Sequence, residues 1–106
     1  RHFTYLDYPY EVTSLAKAYS FNPIPQGIAA ADQKKILGLG CQMWGEYTPT
    51  SERLYYQIFP RIAAFAEIGW VAPATKKDYD NFRKRLVSLE QVWLNKGYIK
   101  EQSGKY

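Results

Sequence analysis

The sequence is poor in cysteine and in acidic residues, and it has no long apolar run. A single cysteine, Cys41, excludes an internal disulfide. No stretch approaches the roughly 18 apolar residues of a membrane-spanning helix, and no signal peptide is recognisable, so we predict no membrane span. The 10 acidic residues are outnumbered by 14 basic ones, mostly in the last third. We interpret the basic excess as the solvated face of a helix and predict no nucleic-acid binding.

Aromatic residues are what the sequence has in excess. They make up 17% of the 106 residues, and ten of them are tyrosines, whose rings suit wet grooves as well as cores. A hydrophobic content of 46% is too high for a disordered chain, and the length fits one small piece of structure. Because the chain starts at Arg1 without a methionine and enters strand-like sequence at once, we expect it to be an excised fragment.

Two short runs each place an aromatic ring and an acid two residues apart. They are Tyr5-Leu6-Asp7 and Trp44-Gly45-Glu46, and each lies where a predicted strand ends. Residues i and i+2 of a strand point to the same face, so each run presents a ring beside a carboxylate. A ring stacks on the C–H bonds of a sugar, and a carboxylate accepts hydrogen bonds from its hydroxyls. The two runs therefore predict one sugar-binding pocket.

Two stretches predict β-strands, near residues 2–8 and 36–45. The first is rich in β-forming residues and stops at Pro9. The second is almost continuously apolar, which is typical of a strand buried on both faces. Its alternation predicts an apolar face that packs under helices and consists of Leu37, Leu39, Cys41 and Met43. The opposite face consists of Gly38, Gly40, Gln42, Trp44 and Glu46.

Helical periodicity covers residues near 51–70. Apolar side chains recur there at every fourth position and form one stripe. Pro60 interrupts the stripe, since proline removes a backbone hydrogen bond and clashes with the preceding turn. We therefore predict either a kink at Pro60 or two abutting segments, at 51–59 and 60–70.

A second helical stripe, near residues 75–96, is the strongest helix prediction. Thr75 followed by Asp78 resembles a capping box at its start. Gly97 directly after the last periodic residue is a typical stop signal.

The order of these elements is that of an α/β protein. A strand, a crossover, a second buried strand and then amphipathic helices predict a parallel sheet. Two strands are too few for a stable sheet of this kind. The sequence therefore predicts a single piece, residues 1–106, that forms the helix-rich C-terminal part of a larger (β/α)8 TIM barrel, with its last two strands and following helices.

Two stretches carry a resemblance to a known family. Residues 40–46 (GCQMWGE) and, after a short loop, residues 56–70 (YQIFPRIAAFAEIGW) resemble the C-terminal end of the β-N-acetylhexosaminidases of glycoside hydrolase family 20. The run from Tyr5 to Asp7 is similar to the tyrosine and aspartate that end the preceding barrel strand in that family. The combination is specific, whereas Y-x-D or W-x-E alone is weak. The resemblance implies that the two strands are the seventh and eighth of a (β/α)8 barrel.

The resemblance also implies a reaction and the roles of four residues. Family members remove terminal N-acetylhexosamine by substrate-assisted retaining hydrolysis, in which the 2-acetamido oxygen of the substrate attacks the anomeric carbon. Tyr5 would then be catalytic, because it hydrogen-bonds that oxygen. Asp7 and Glu46 would bind hydroxyls of the terminal sugar, and Trp44 would wall the pocket. The substrate is an N-acetylhexosamine-containing glycan, and we expect no cofactor and no metal.

The family's catalytic acid pair, an adjacent Asp-Glu, is absent from this chain. We therefore expect the isolated chain to be inactive and to need the remainder of the parent barrel as its partner. Strand edges and apolar faces without neighbours favour self-association. The compartment is unknown from the residues alone, and the family resemblance suggests an exported, periplasmic or lysosomal protein.

Simpler roles fit several of the conspicuous residues. We expect Arg61 and Glu67, which lie on a helix away from the strand ends, to be structural charges that need partners if buried. Trp70 and Trp93 are predicted to pack. Two other functions remain open for the whole chain: a non-catalytic carbohydrate-binding module that uses the same aromatics, and a basic helical interaction module.

Overall fold

Five α-helices follow one another in the computed structural model, which describes residues 3–71 and 75–100. They are α1 (Leu15–Tyr19), α2 (Ala30–Gln33), α3 (Ser51–Ile58), α4 (Arg61–Trp70) and α5 (Tyr79–Lys96). None of the helices in these ranges is both long and apolar enough to cross a membrane.

The two predicted strands meet in one parallel pairing, and no described residue belongs to a regular strand. Tyr5 pairs with Gln42. Around them the Leu6 N–H donates to the Gln42 carbonyl at 2.7 Å, and the Gln42 N–H donates to the Thr4 carbonyl at 2.8 Å. We call residues 3–8 the first segment and residues 36–46 the second segment.

The strands predicted near residues 2–8 and 36–45 are thus absent as regular elements in the described part of the chain; His2 lies outside that part. A parallel sheet is stabilised by neighbours on both edges of each strand, and here each segment has one partner at most. The direction of the pairing is nevertheless the one that an α/β sheet requires.

The break between α3 and α4 lies where the sequence predicted it. Phe59 is extended, with φ −92° and ψ 132°, because the ring of a following proline disfavours the helical conformation. The Phe59-Pro60 peptide bond is cis. The chain turns at these two residues, and Arg61 begins the next helix.

The ends of α5 are set by local side-chain and backbone signals. The Asp78 carboxylate accepts a hydrogen bond from the Asn81 N–H at 3.1 Å, so Asp78 is the N-cap and the predicted capping box at Thr75 is wrong. Thr75 lies three residues before the cap, outside the helix. Gly97 ends α5 with φ 78°, a left-handed conformation that only glycine adopts without strain.

The core forms where α1 packs against α4 and α5 closes over both. Its buried members are Leu6, Leu15, Ala18, Tyr19, Ala64, Phe65, Ile68, Phe82 and Leu86. Leu39, Cys41 and Met43 pack against this cluster, as the alternation in the second segment predicted. Partial burial raises the pKa of the Cys41 thiol.

Two apolar residues that were expected to be covered lie open to solvent. Leu37 is 96% exposed and Trp70 is 91% exposed, so the packing predicted for each is wrong in this chain. The alternation and the helical stripe identify apolar positions, but they do not supply the surface that covers them. Trp93 does pack, with its ring centroid 4.9 Å from that of Phe59.

Candidate functional site

The pairing of the two segments brings the two ring and acid runs side by side. Tyr5 lies opposite Gln42, and in a parallel register Asp7 and Trp44 each follow two residues later. The Thr4 hydroxyl donates to the Gln42 side-chain oxygen at 2.9 Å, which adds a side-chain link between the segments. The backbone therefore aligns Tyr5 and Asp7 with the end of the second segment.

Asp7 is partly buried, with one carboxylate oxygen out of contact with solvent. That oxygen, Oδ1, has no hydrogen-bond partner among the described residues. A carboxylate oxygen in this condition is uncommon, because its desolvation is not offset by a donor. Asp7 thus holds one oxygen whose capacity to accept hydrogen bonds the described residues do not use.

The other three predicted site residues differ in their exposure. Tyr5 is partly buried, and its ring centroid lies 6.1 Å from that of Tyr8. Trp44 is 55% exposed and Glu46 is exposed. Within the described residues these side chains form an open surface at the end of the second segment rather than a closed pocket.

A buried corner between α3 and α4 binds the backbone of the first segment. The Gln57 side-chain nitrogen Nε2 lies 3.1, 3.0 and 3.3 Å from the carbonyl oxygens of Leu6, Asp7 and Tyr8. Gln57 is 2% exposed. Its oxygen Oε1 is buried without a hydrogen-bond partner in the described part of the chain. The side chain is therefore used entirely as a donor.

Arg61 completes this corner from the first turn of α4. Its two Nη atoms donate to the carbonyls of Leu6, Tyr8 and Thr13, and its Nε and one Nη also donate to the Gln57 carbonyl. All five guanidinium N–H bonds therefore have acceptors, which is what a fully buried arginine requires. We call Gln57 and Arg61 the carbonyl clamp.

Tyr10 covers the clamp on one side. The Arg61 guanidinium lies 4.1 Å from the centroid of the Tyr10 ring, a favourable cation–π distance. The Tyr10 hydroxyl is 2.8 Å from the carbonyl of Phe59, at the C-terminal end of α3. Burial raises the pKa of Tyr10 despite the nearby guanidinium. Burial also lowers the pKa of Arg61, against the opposing effects of Tyr10 and the Asp7 carboxylate.

Glu67, on α4, is the centre of a second polar cluster. Its carboxylate accepts hydrogen bonds from Arg85 of α5, one of them at 2.9 Å, and from the Tyr19 hydroxyl of α1 at 2.7 Å. These contacts confirm that Glu67 is a structural charge, and the clamp contacts confirm the same for Arg61. The hydrogen bonds from Arg85 hold the pKa of Glu67 below its usual range.

One groove lies apart from the two ring and acid runs. A groove of about 460 Å³ lies by the start of the second segment, where Leu37 and Leu39 face Ile68 and Lys77. Neither Asp7 nor Glu46 lines this groove. Among residues 3–71 and 75–100, no cluster of histidine, cysteine or acidic side chains is suited to a metal ion.

The sequence did not reveal the role of Gln57. It lies three residues after Leu54 and one before Ile58, within an apolar stripe, and a glutamine at a buried helical position is unusual. The polar glutamine within the apolar stripe was the available signal, since a buried polar side chain needs hydrogen-bond partners. The carbonyls that the two side chains bind lie about 50 residues away in the sequence, beyond the reach of local patterns.

Comparison with known proteins agrees with the residue pattern. Residues 1–73 match the catalytic domain of glycosyl hydrolase family 20. A beta-hexosaminidase of Porphyromonas gingivalis is 42% identical over 72 residues, which cover 68% of this chain and 9% of that protein. A beta-N-acetylhexosaminidase of Cellulomonas fimi is 28% identical over 105 residues, covering 89% and 21%. An N,N'-diacetylchitobiase of Vibrio harveyi is 27% identical over 128 residues, covering 91% and 14%.

The chain spans between 9% and 21% of the length of these three relatives. The family is one of TIM-barrel enzymes, which agrees with the predicted fold class at that level. Because the match covers more than half of the chain and includes both ring and acid runs, the resemblance found in the residues is confirmed. This chain belongs to glycosyl hydrolase family 20.

Proposed function

We propose that the chain is the C-terminal part of the catalytic barrel of a β-N-acetylhexosaminidase, which removes terminal N-acetylhexosamine from glycoconjugates. The family match carries this proposal. The parallel pairing of Tyr5 with Gln42 supports it, because neighbouring parallel strands of a barrel pair in this way. In such a barrel the active site lies at the C-terminal ends of the strands, where Asp7 and Glu46 occur.

Hydrolysis would proceed with help from the substrate. The 2-acetamido oxygen attacks the anomeric carbon while the glycosidic C–O bond breaks, and the leaving oxygen takes a proton from an acid. Water then opens the oxazolinium-like intermediate and retains the anomeric configuration. Tyr5 orients the acetamido oxygen by a hydrogen bond. This chain holds no adjacent Asp-Glu pair, so the proton comes from elsewhere in the barrel.

The pocket residues bind and steer the terminal sugar. The partly buried Asp7 carboxylate and the exposed Glu46 carboxylate each accept a hydrogen bond from a hydroxyl of the sugar. The Trp44 ring, more than half exposed, offers a flat apolar face to the sugar. Binding of this kind holds the acetamido group in line with the anomeric carbon, which lowers the entropic part of the barrier.

Single substitutions in the complete protein test this proposal. We expect Asp7→Ala and Glu46→Ala each to lower kcat/KM on a chromogenic N-acetyl-β-glucosaminide roughly 10- to 100-fold, the loss of one charged hydrogen bond. Glu11→Ala, which removes an exposed acid outside both segments, is the matched control and should leave the kinetics unchanged. Unchanged kinetics in both pocket variants would remove the site assignment.

The two other functions make different predictions. A carbohydrate-binding module would bind the sugar through Trp44 in a complete protein that hydrolyses nothing. A basic interaction module would bind an acidic partner in a salt-dependent way and would be insensitive to Asp7→Ala. The hydrolysis assay on the complete protein distinguishes the proposed glycosidase function from these two alternatives.

A further inference from the structure

Three consecutive carbonyls of the first segment face the same buried corner. The carbonyl oxygens of Leu6, Asp7 and Tyr8 all lie within hydrogen-bond distance of Gln57 Nε2. Successive carbonyls of an extended strand point in opposite directions, so this stretch is not an ordinary strand end. The turn that brings the three oxygens together is the stretch that carries Asp7.

The pairing with the second segment fixes only the beginning of this stretch. Its hydrogen bonds involve Thr4 and Leu6, and Tyr8 continues into a turn through an N–H donated to the Tyr5 carbonyl at 3.3 Å. At Asp7 the main-chain carbonyl is bound by Gln57 at 3.0 Å. The clamp therefore holds the main chain at Asp7 and Tyr8, beyond the last hydrogen bond of the pairing.

The clamp itself is well anchored. Gln57 is on α3 and Arg61 is on α4, and the Arg61 guanidinium binds the Gln57 carbonyl at 2.6 Å and 3.1 Å. Arg61 also reaches the Thr13 carbonyl at 3.0 Å, just before α1. Three helices and the first segment therefore meet at one buried guanidinium.

We propose that Gln57 and Arg61 are positioning residues for the sugar-binding acid Asp7. They hold the main chain on both sides of Asp7 and aim its carboxylate at the substrate without touching the sugar. This inference rests on the proposed function, because it gives the clamp its role through a substrate ligand. It goes further by assigning part of the substrate affinity to two buried side chains behind the pocket.

Gln57→Met in the complete protein tests the clamp. Methionine keeps the size and apolar stem of glutamine but removes the donor, which leaves the Asp7 carbonyl unbound. We expect KM for a chromogenic N-acetyl-β-glucosaminide to rise about tenfold, the effect of misplacing one substrate hydrogen bond. Leu86→Ala is the control, since it opens a cavity in the core at α5 and removes no hydrogen bond of the clamp.

Equal changes of KM in Gln57→Met and Leu86→Ala, at matched loss of thermal stability, would mean that the clamp is merely structural and would overturn the proposal. If Gln57→Met does not fold, Arg61→Lys takes its place. Lysine keeps the charge but cannot reach all the carbonyls at once.

A double-mutant cycle with Asp7→Ala separates positioning from general weakening. If the clamp acts through Asp7, Gln57→Met should have almost no further effect on KM once Asp7 has lost its carboxylate. Additive effects would show that the clamp acts by another route, and would overturn the proposal.

The exchange rates of backbone amide hydrogens test the clamp without any assay of activity. In Gln57→Met we expect the Tyr8 amide to exchange about tenfold faster, while amides in α5 keep their wild-type rates. Unchanged exchange at Tyr8 would overturn the clamp whatever the enzyme assay shows. If exchange rises but Asp7→Ala leaves KM unaltered, it is the proposed function that fails, and the positioning role fails with it.

Discussion

Single residues in this chain stabilise contacts between helices that are far apart in sequence. Glu67 is the clearest case, because its carboxylate accepts hydrogen bonds from Tyr19 of α1 and Arg85 of α5. The Tyr19 ring also stacks on Phe82, with centroids 4.4 Å apart and planes within 16°. The cluster thus joins α1, α4 and α5 through one carboxylate and one aromatic stack.

The stability supplied by Glu67 should depend on pH. Its pKa is lowered below the ordinary value of 4.5 by the hydrogen bonds from Arg85, so the stabilisation is present above that value and is lost as the pH falls through the folded pKa. We expect Glu67→Gln to lower the free energy of unfolding by about 1 kcal/mol near neutral pH, a figure reduced for the exposure of Arg85. The difference should vanish in strong acid.

Chemical denaturation of wild type and variant across the acidic range measures this effect. Glu11→Gln, at an exposed acid outside the cluster, provides the control. A difference between wild type and Glu67→Gln that stays constant down to strong acid would show that the charge of Glu67 contributes nothing.

For single residues, the sequence predicts what a side chain can do chemically better than it predicts which residues that side chain contacts. Arg61 and Glu67 were recognisable as structural charges because they lie on a helix away from the strand ends. Gln57 was not recognisable, since its acceptors are backbone carbonyls, which leave no trace in the sequence. The side-chain types of Asp7 and Glu46 suggest hydroxyl binding, but their contacts with a sugar depend on parts of the fold that local patterns do not specify.

Among the elements, α5 is the one whose two ends are most sharply defined. Asp78 caps its first turn and Gly97 ends it in a left-handed conformation. Few other contacts hold the ends of α5 in place. We therefore expect the two caps to contribute much of the local stability of the helix ends.

Replacing the cap tests which residue starts α5. Asp78→Ala should lower the free energy of unfolding by about 1 kcal/mol, because the Asn81 N–H loses its acceptor and the helix dipole loses a favourable charge. Thr75→Ala should cost much less, since Thr75 lies outside the helix. The measurement is the midpoint of chemical denaturation, and a larger loss from Thr75→Ala would restore the capping box that the sequence suggested.

Elements with local signals are the ones the sequence predicted well. Pro60 fixed the break between α3 and α4, and Gly97 fixed the end of α5, because each acts on its own backbone. The capping box failed because two residues three apart both had side chains able to cap. The strands failed because a strand needs a partner distant in sequence, and only the pair Tyr5 and Gln42 is supplied among the described residues.

The molecule as a whole presents apolar surface that its own residues do not cover. Leu37 and Trp70 are almost fully exposed, and Trp44 is more than half exposed. The sequence-based expectation of self-association rests on unpaired strand edges and apolar faces, and it stays a prediction.

The isolated chain should not hydrolyse an N-acetyl-β-glucosaminide above background. It carries the sugar-binding residues of the proposed pocket but no adjacent Asp-Glu pair to supply the proton, and an acid of this kind contributes typically 10²- to 10⁴-fold to a rate. Release of the chromophore by the purified chain, measured beside the complete protein, is the test. Clear turnover by the chain alone would contradict the proposal that it is part of a larger barrel.

The carbonyl clamp has a consequence for how such a pocket changes over time. Gln57 and Arg61 bind main-chain oxygens, which every amino acid has, so the side chain at position 7 can be exchanged without loss of these hydrogen bonds. A new side chain at position 7 would inherit the aim of the old one. Under the proposed function, the choice of sugar can therefore change by substitution at position 7, while the buried contacts behind it stay the same.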